Sequence, residues 1–100
     1  MTDTIILPQT VVIAAKDQVS CDLAGEAAVL NLKNGVYYGL NAVGARVWTL
    51  LQQARTVNEI RDQLVSEYNV ELPRCEADLR ALLGKLAAEG LIEVRNETSA

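Results

Sequence analysis

The segment from residue 30 to residue 48 constrains the fold more than any other part of the chain. Its Asn34-Gly35 dipeptide tolerates positive φ at both central positions of a type I′ turn, and apolar residues on both sides predict a two-strand hairpin. Residues 36–40 form the second strand of that hairpin. Asn41 follows as a helix N-cap, and apolar residues recur after it at helical spacing. The segment therefore predicts a strand that passes directly into a helix.

One further strand is predicted before this hairpin. Val19, Cys21 and Leu23 alternate with polar residues, which is the period of a half-buried strand. A turn at Ala24-Gly25 then leads into residues 26–32, the first strand of the hairpin. The pattern predicts one three-stranded antiparallel sheet, and its last strand lies at an edge if the strands follow their order in the sequence.

Three helices are predicted after the sheet. The first covers residues 42–53. Thr56 and Glu59 form a capping box that begins the second helix, which ends near Tyr68. Gly90 can end the third helix in the left-handed conformation, after which the chain leaves as an extended segment. The apolar stripe of the third helix consists of Leu79, Leu82, Leu83, Leu86 and Ala87.

The remaining residues frame one small domain. Residues 1–17 are partly apolar but contain Pro8, which cannot donate to a central ladder, so an extended arm that can include a short edge strand is predicted. Residues 18–94 form the predicted folded domain, and residues 95–100 a flexible polar tail. The predicted fold class is α+β, a winged helix-turn-helix in which a three-stranded antiparallel sheet is followed by three helices.

The composition argues against catalysis and against nucleic acid as a partner. The chain has no His, and its 13 acidic residues against 9 basic ones give a net charge of −4. It also lacks a Gly-rich phosphate loop and a nucleophile-elbow Ser, so we expect no enzymatic activity, no metal and no cofactor. Phosphate contacts need cations that this chain does not supply. Cys21 and Cys75 have no metal-binding or redox spacing and are expected to be reduced, packed thiols.

No apolar run approaches the ~20 residues that a membrane span needs. The N-terminus also lacks the basic region of a secretory signal. We therefore expect a cytoplasmic protein without a membrane partner.

One run carries a family resemblance: residues 35–48 read Gly-Val-Tyr-Tyr-Gly-Leu-Asn-Ala-Val-Gly-Ala-Arg-Val-Trp. This run resembles the signature of the PqqD family, and weaker similarity extends the resemblance over residues 18–94. Proteins of that family recognise the leader peptides of ribosomally made, post-translationally modified peptides. The resemblance implies a free-standing binding protein that works with a separate modifying enzyme. That enzyme is either a leader peptidase with a cyclase, as in lasso-peptide pathways, or a radical S-adenosylmethionine enzyme, as in pyrroloquinoline quinone synthesis.

An edge strand at residues 36–40 has free amides and carbonyls with which an extended peptide can pair. The exposed flank of the third helix would form the other wall of the binding site. Combined with what the family resemblance implies, this predicts a non-catalytic function: capture of a precursor's leader peptide by strand addition, and its presentation to the modifying enzyme. The predicted peptide-binding residues are Val36, Tyr37, Tyr38, Gly39, Leu40, Arg80, Leu83 and Lys85.

Other interpretations remain open. Tyr37 and Tyr38 point to opposite faces of their strand, so at most one is fully buried, whereas Trp48 and Tyr68 are expected in the core.

The main alternative function is a winged-helix DNA-binding transcriptional regulator, although the charges between residues 74 and 89 cancel. A third is a small structural subunit that self-associates through its edge strand. The oligomeric state is not predicted.

Overall fold

A computed structural model of the chain describes residues 6–95. The first five residues of the predicted arm and the last five of the predicted tail lie outside this range. Within it, six strands and three helices form two three-stranded antiparallel sheets and a helical layer. The elements in chain order are β1 (Val11–Ala14), β2 (Gln18–Leu23), β3 (Glu26–Asn31), β4 (Tyr37–Leu40), α1 (Ala42–Leu50), β5 (Arg55–Thr56), α2 (Val57–Glu67), α3 (Leu72–Ala88) and β6 (Ile92–Arg95).

The first sheet, here called the meander sheet, has the order β2-β3-β4. Its strands follow their order in the sequence, as predicted, so β4 lies at an edge. The turn between β2 and β3 is formed by Ala24 and Gly25, whose φ angles of 56° and 91° are both positive. Leu23 pairs with Glu26 across this turn. Positive φ at both central residues is what a two-residue type I′ turn requires.

The predicted two-residue turn at Asn34-Gly35 is wrong. Only Gly35 has positive φ, at 71°, and the amide of Asn31 donates to the carbonyl of Val36 at 3.0 Å, which closes a longer connection over residues 32–35. Side chains support this connection, because the Oδ1 atom of Asn34 accepts from the amide of Val36 at 3.0 Å. Local side-chain bonds of this kind compete with the tight turn that the dipeptide alone favours.

The β2 strand is present where the alternation predicts it, but it is not half-buried. Val19 and Leu23 are 55% and 53% exposed, and Cys21 is exposed as well. These side chains lie on the outer face of the meander sheet, because Val19 pairs with Leu30 while the neighbouring β3 residue Val29 is fully buried. The alternation therefore indicates the strand but not which of its faces is covered.

The second sheet, here called the closing sheet, has the order β5-β1-β6. The expectation of a short edge strand in the arm is wrong, because β1 lies in the middle and pairs with both neighbours. Val12 has no exposed surface. The amides of Ala14 and Ala15 donate to the carbonyls of Leu51 and Leu91, each at 2.8 Å. Pro8 does not disturb this sheet because it precedes β1.

The N-terminus of α2 is fully capped. Thr56 and Glu59 form the predicted capping box, with bonds of 3.1 Å from the Glu59 amide to the Thr56 hydroxyl and 2.8 Å from the Thr56 amide to the Glu59 carboxylate. The carbonyls of Thr10 and Pro8 accept the next two amides of the helix at 3.0 and 2.9 Å. Residues before β1 thereby satisfy donors that a helix start otherwise leaves without partners.

The other predicted helix signals are also confirmed. Asn41 caps α1 by accepting from the amide of Gly44 at 2.9 Å. Gly90 ends α3 with a φ of 72°. The amides of Gly90 and Leu91 donate back to the last turn at 3.0 and 2.9 Å, which is the Schellman pattern.

The core is aliphatic apart from Trp48, which is 4% exposed as predicted. Tyr68 is only half-buried and packs at the margin of the core. The α+β class, with three-stranded antiparallel sheets and three helices, is confirmed. None of the helices within residues 6–95 has the length and apolar character of a bilayer span. The largest side chains with less than 2% of their surface exposed are Leu51, Ile60, Leu83, Leu91, Val12, Val29 and Val47.

Candidate functional site

Within residues 6–95, β4 pairs only with β3, so one of its edges is open in this part of the chain. The bond from the Asn31 amide to the Val36 carbonyl fixes the phase of this ladder. Hydrogen-bonded and non-hydrogen-bonded pairs alternate in antiparallel strands, so Tyr38, opposite Val29, directs its backbone groups toward β3. Tyr37 and Gly39 then direct their amides and carbonyls toward the open edge, where an extended peptide can pair with them.

The two tyrosines lie on opposite faces of the meander sheet, as predicted. Tyr37 is 70% exposed on the outer face. Tyr38 is half-buried on the inner face, and its hydroxyl donates to Oε2 of Glu89 at 2.6 Å. This hydrogen bond, together with partial burial, raises the pKa of Tyr38 above its usual value. Tyr38 therefore remains a neutral donor at physiological pH.

A cleft of about 410 Å³ opens where the end of β4 meets the helical layer. The N-terminal part of α1, the C-terminal end of α2 and the first half of α3 form its walls. Most of the lining is apolar, which suits the side chains of an extended peptide that pairs with the neighbouring strand edge. Residues that represent each wall are Gly39, Leu40, Val43, Tyr68, Asp78 and Leu82.

Two charged residues of α3 line this cleft. The Nε atom of Arg74 lies 3.9 Å from Oδ2 of Asp78, and their side chains are 82% and 77% exposed. An ion pair so exposed contributes little to stability, so both charges are available to a ligand. Cys75 also lines the cleft, and burial raises the pKa of its thiol, which keeps it neutral and unreactive.

The structure brings together most of the sequence-predicted site residues. Val36 and Tyr37 are exposed at the β4 edge, and Gly39 and Leu40 line the cleft. Lys85 is exposed on α3.

The position of Lys85 on α3 follows from helical spacing. Asp78, Leu82, Lys85 and Glu89 recur every three or four residues and therefore share one face of the helix. Asp78 and Leu82 line the cleft, and Glu89 contacts Tyr38. Lys85 lies between them on this face. We call this face the groove face of α3, and the space between it and β4, which includes the cleft, the groove.

Two predicted site residues do not fit the groove. Leu83 has no exposed surface and belongs to the core. Arg80 is two residues from both Asp78 and Leu82, which places it on nearly the opposite side of the helix, and it does not line the cleft. The leucine stripe of α3 is wide enough to have two flanks, and the sequence does not indicate which of them faces β4.

The sequence interpretation missed other cleft residues, among them Val43, Val70, Asp78 and Leu82. Val43 and Val70 are large apolar residues that the structure leaves 43% and 42% exposed, and no signal in the sequence distinguishes them from core residues. Leu82 belongs to the predicted apolar stripe of the third helix, but it is only partly buried and lines the cleft.

A second cleft, of about 430 Å³, lies between β2 and α1 and is more polar, with Asp22 and Arg46 among its lining residues. None of its lining residues belongs to β4. Within residues 6–95, no group of three or more His, Cys, Asp or Glu side chains is placed to hold a metal ion. The first cleft, which adjoins the open strand edge, is therefore the candidate site.

An open strand edge beside an apolar cleft is a geometry to which an extended peptide can add as a further strand. Comparison with known proteins gives the family. Residues 26–92 match the family described as coenzyme PQQ synthesis protein D (PqqD). The chain belongs to the PqqD family.

Two solved structures are similar to this chain. The first is TbiB1 in complex with the TbiA(beta) leader peptide, which is 40% identical over 81% of this chain and 94% of that chain, with a TM-score of 0.76. The second is a lasso peptide synthetase B1 complexed with the leader peptide. It is 23% identical over 82% of this chain and 96% of that chain, with a TM-score of 0.72, and it shows the shared fold. No curated protein sequence matches the chain.

Proposed function

We propose that this chain is a non-catalytic binding protein that captures the leader segment of a ribosomally made precursor peptide and presents it to a modifying enzyme. The observation that carries the proposal is the open edge of β4 beside an apolar cleft. The relative that is 40% identical supports it, because that protein was solved with a leader peptide.

In this proposal the leader adds a strand to β4. Its backbone pairs with Tyr37 and Gly39, and alternate side chains enter the groove between β4 and α3. Val36, Tyr38 and Leu40 complete the strand segment along which the leader binds. On α3 the proposed peptide contacts are Lys85, which is already predicted from the sequence, and Asp78 and Leu82, which take the place of Leu83 and Arg80.

The chain raises the effective concentration of the core peptide at the modifying enzyme and does not itself catalyse a step. A leader held on the domain keeps the attached core peptide near the enzyme, so a bimolecular encounter becomes a local one. We further propose a lasso-peptide setting, with a leader peptidase and a cyclase as partners, because a lasso peptide synthetase B1 has the same fold. A radical S-adenosylmethionine enzyme is the second partner to test, since the matched family is described by coenzyme PQQ synthesis.

The helix-turn-helix arrangement, the domain bounds and the cellular location are further parts of the proposal. The winged helix-turn-helix arrangement would consist of α2 and α3 followed by β6. The pairing of β1 with β6 favours a recognition domain that begins before residue 18 and so includes part of the predicted arm. The cytoplasmic location stays a prediction. The DNA-binding alternative has no support among the similar proteins.

Fluorescence anisotropy tests the proposed function directly. The probe is the labelled leader segment of a precursor peptide found by reading the genes on either side of this one, and the TbiA(beta) leader serves as a second probe. We expect saturable binding of the neighbouring leader and none of a scrambled peptide with the same composition. Absence of binding by the unscrambled leader, in buffer where the domain is folded, would reject the proposal. A discrete complex with the chain's own upstream DNA would favour the regulator instead.

A further inference from the structure

The end of α3 accepts two hydrogen bonds from the meander sheet, both at Glu89. The Tyr38 hydroxyl donates to Oε2 of Glu89 at 2.6 Å. The Nδ2 atom of Asn31 donates to the backbone carbonyl of Glu89 at 2.8 Å. Asn31 is only 4% exposed, and its Oδ1 atom accepts from the amide of Lys33 at 2.8 Å. Glu89 is therefore bound by both strands of the β3-β4 hairpin.

The Tyr38–Glu89 hydrogen bond connects the two walls of the candidate groove. Tyr38 lies between Tyr37 and Gly39, whose backbone groups point to the open edge. Glu89 belongs to the groove face of α3, in line with Leu82 and Lys85. The bond therefore links the strand that would pair with a peptide to the helix that would contact the peptide's side chains.

A peptide in this groove has two requirements that must be met together. Its backbone must reach the edge of β4, and its alternate side chains must reach α3. Both contacts form at full strength only at one spacing between strand and helix. A hydrogen bond from a hydroxyl to a carboxylate is short and strong, so it can fix this spacing before the peptide arrives. Such preorganisation reduces the entropy that binding must overcome.

We propose that Tyr38 and Glu89 are positioning residues for leader recognition, which hold β4 and α3 at the spacing that the leader requires. This inference rests on the proposed function. Neither hydroxyl nor carboxylate has to touch the leader, because the pair acts through the position of the strand edge. Tyr38 is a candidate from the sequence alone, but the sequence does not indicate its partner Glu89, which lies 51 positions further along the chain.

A double-mutant cycle on leader affinity tests the inference. Tyr38→Phe keeps the ring and its packing but removes the hydroxyl, and Glu89→Ala removes the acceptor. Each should weaken binding of the neighbouring leader about three- to tenfold, the equivalent of one hydrogen bond, and the double variant should be no weaker than either single variant. Glu89→Gln retains an acceptor oxygen and should restore affinity to within about twofold of the wild type. Glu93→Ala, which removes an exposed carboxylate on β6 outside the groove, is the matched control.

Three outcomes would overturn the inference: wild-type affinity in Tyr38→Phe, additive losses in the double variant, or a Glu89→Gln variant as weak as Glu89→Ala. Thermal melting accompanies each measurement, so that affinity is compared only between folded proteins. If the wild type itself fails to bind the leader, the proposed function fails and this inference fails with it. If the wild type binds and the cycle shows no coupling, only the positioning role is rejected.

Discussion

The meander sheet and the closing sheet have three strands each but differ in how they join the rest of the molecule. In the closing sheet, β1 is paired on both sides, and Val12 has no exposed surface. In the meander sheet, β2 is largely exposed and β4 has an open edge. The closing sheet therefore pairs β1 and β5, which precede α2, with β6, which follows α3, in a single sheet. The meander sheet instead leaves one edge of β4 without a paired strand within residues 6–95.

The difference follows from how each sheet is connected. The closing sheet joins three distant parts of the chain, and its strands also accept or donate bonds at helix ends, as at Ala14 and Leu51. The meander sheet is built from consecutive strands and contacts the helices through its inner face alone. A consecutive sheet has free edges unless another element covers them. The open edge of β4 is thus a consequence of topology.

The largest effect is expected from proline substitutions in β4. Tyr38→Pro removes an amide that points toward β3, together with the hydroxyl bond to Glu89, and should destabilise the fold by about 3 kcal/mol or more. Tyr37→Pro removes an amide that points to the open edge. That variant should fold and lose leader affinity by about 0.5–1.5 kcal/mol for the missing bond, plus the steric effect of the ring. Circular dichroism melts and anisotropy titrations measure the two effects.

The two proline variants can also contradict the proposed docking surface. If Tyr37→Pro binds the leader as the wild type does, the edge of β4 is not the docking surface. Amide chemical shifts during a leader titration give an independent check, and the largest changes should map to β4 and to the groove face of α3. Changes centred on β2 would place the peptide at the other edge of the meander sheet.

A matched pair of valines tests the comparison between the sheets themselves. Val12→Ala should destabilise the domain by about 2–3 kcal/mol, because it removes buried methyl groups and leaves a cavity. Val19→Ala removes the same groups from β2, where the side chain is 55% exposed, and should cost about 0.5 kcal/mol or less. Urea unfolding at equilibrium measures both values. Equal losses for the two variants would mean that the meander sheet is as deeply integrated as the closing sheet.

Charge reversal on α3 should have a smaller effect, on binding alone. Lys85→Glu changes a charge on the groove face and should weaken leader binding about two- to fivefold, with more effect at low salt. Arg80→Glu makes the same change on the opposite side of the helix and should leave affinity unaltered. Both residues are exposed, so melting temperatures should change little. A larger loss of affinity in Arg80→Glu than in Lys85→Glu would contradict the placement of the groove.

Local signals in the sequence predicted the helix ends well. The Thr56–Glu59 capping box, the Asn41 cap and the Gly90 end depend on residues within one or two turns, and all three are confirmed. The hairpin turn at Asn34 was wrong because Asn31 and Asn34 side chains bond neighbouring amides, which the dipeptide rule does not consider.

Long-range relations were the harder part of the prediction. The closing sheet was missed because its strands lie far apart in the sequence, and because Pro8 suggested an edge although it precedes β1. The edge position of β4 could be predicted, since consecutive strands formed a meander. The groove face of α3 could not be predicted, because Leu82 and Leu83 both belong to the apolar stripe and only tertiary packing decides which one lines the cleft.

The smallest effect is expected from acid, at an ion pair that joins the two halves of the molecule. Arg46 on α1 bonds Glu67 at the end of α2 through two nitrogens, at 2.8 and 2.6 Å. The α1 helix packs against β3 of the meander sheet, whereas α2 follows directly from β5 of the closing sheet. The pair therefore bridges the helix that supports one sheet and the helix that begins at the other.

The Arg46 hydrogen bonds, aided by Gln63, lower the pKa of Glu67 from an ordinary value of 4.5 to about 2. A carboxyl whose pKa is lowered by folding stabilises the folded state above its ordinary pKa, and this contribution is lost as pH falls through the folded value. The melting temperature of the wild type should therefore exceed that of Glu67→Gln most at neutral pH, and the gap should close between about pH 4.5 and pH 2. Glu93→Gln, outside this pair, is the control. A gap that stays constant down to pH 2 would show that the charge of Glu67 does not couple the two sheets, and that packing alone joins them.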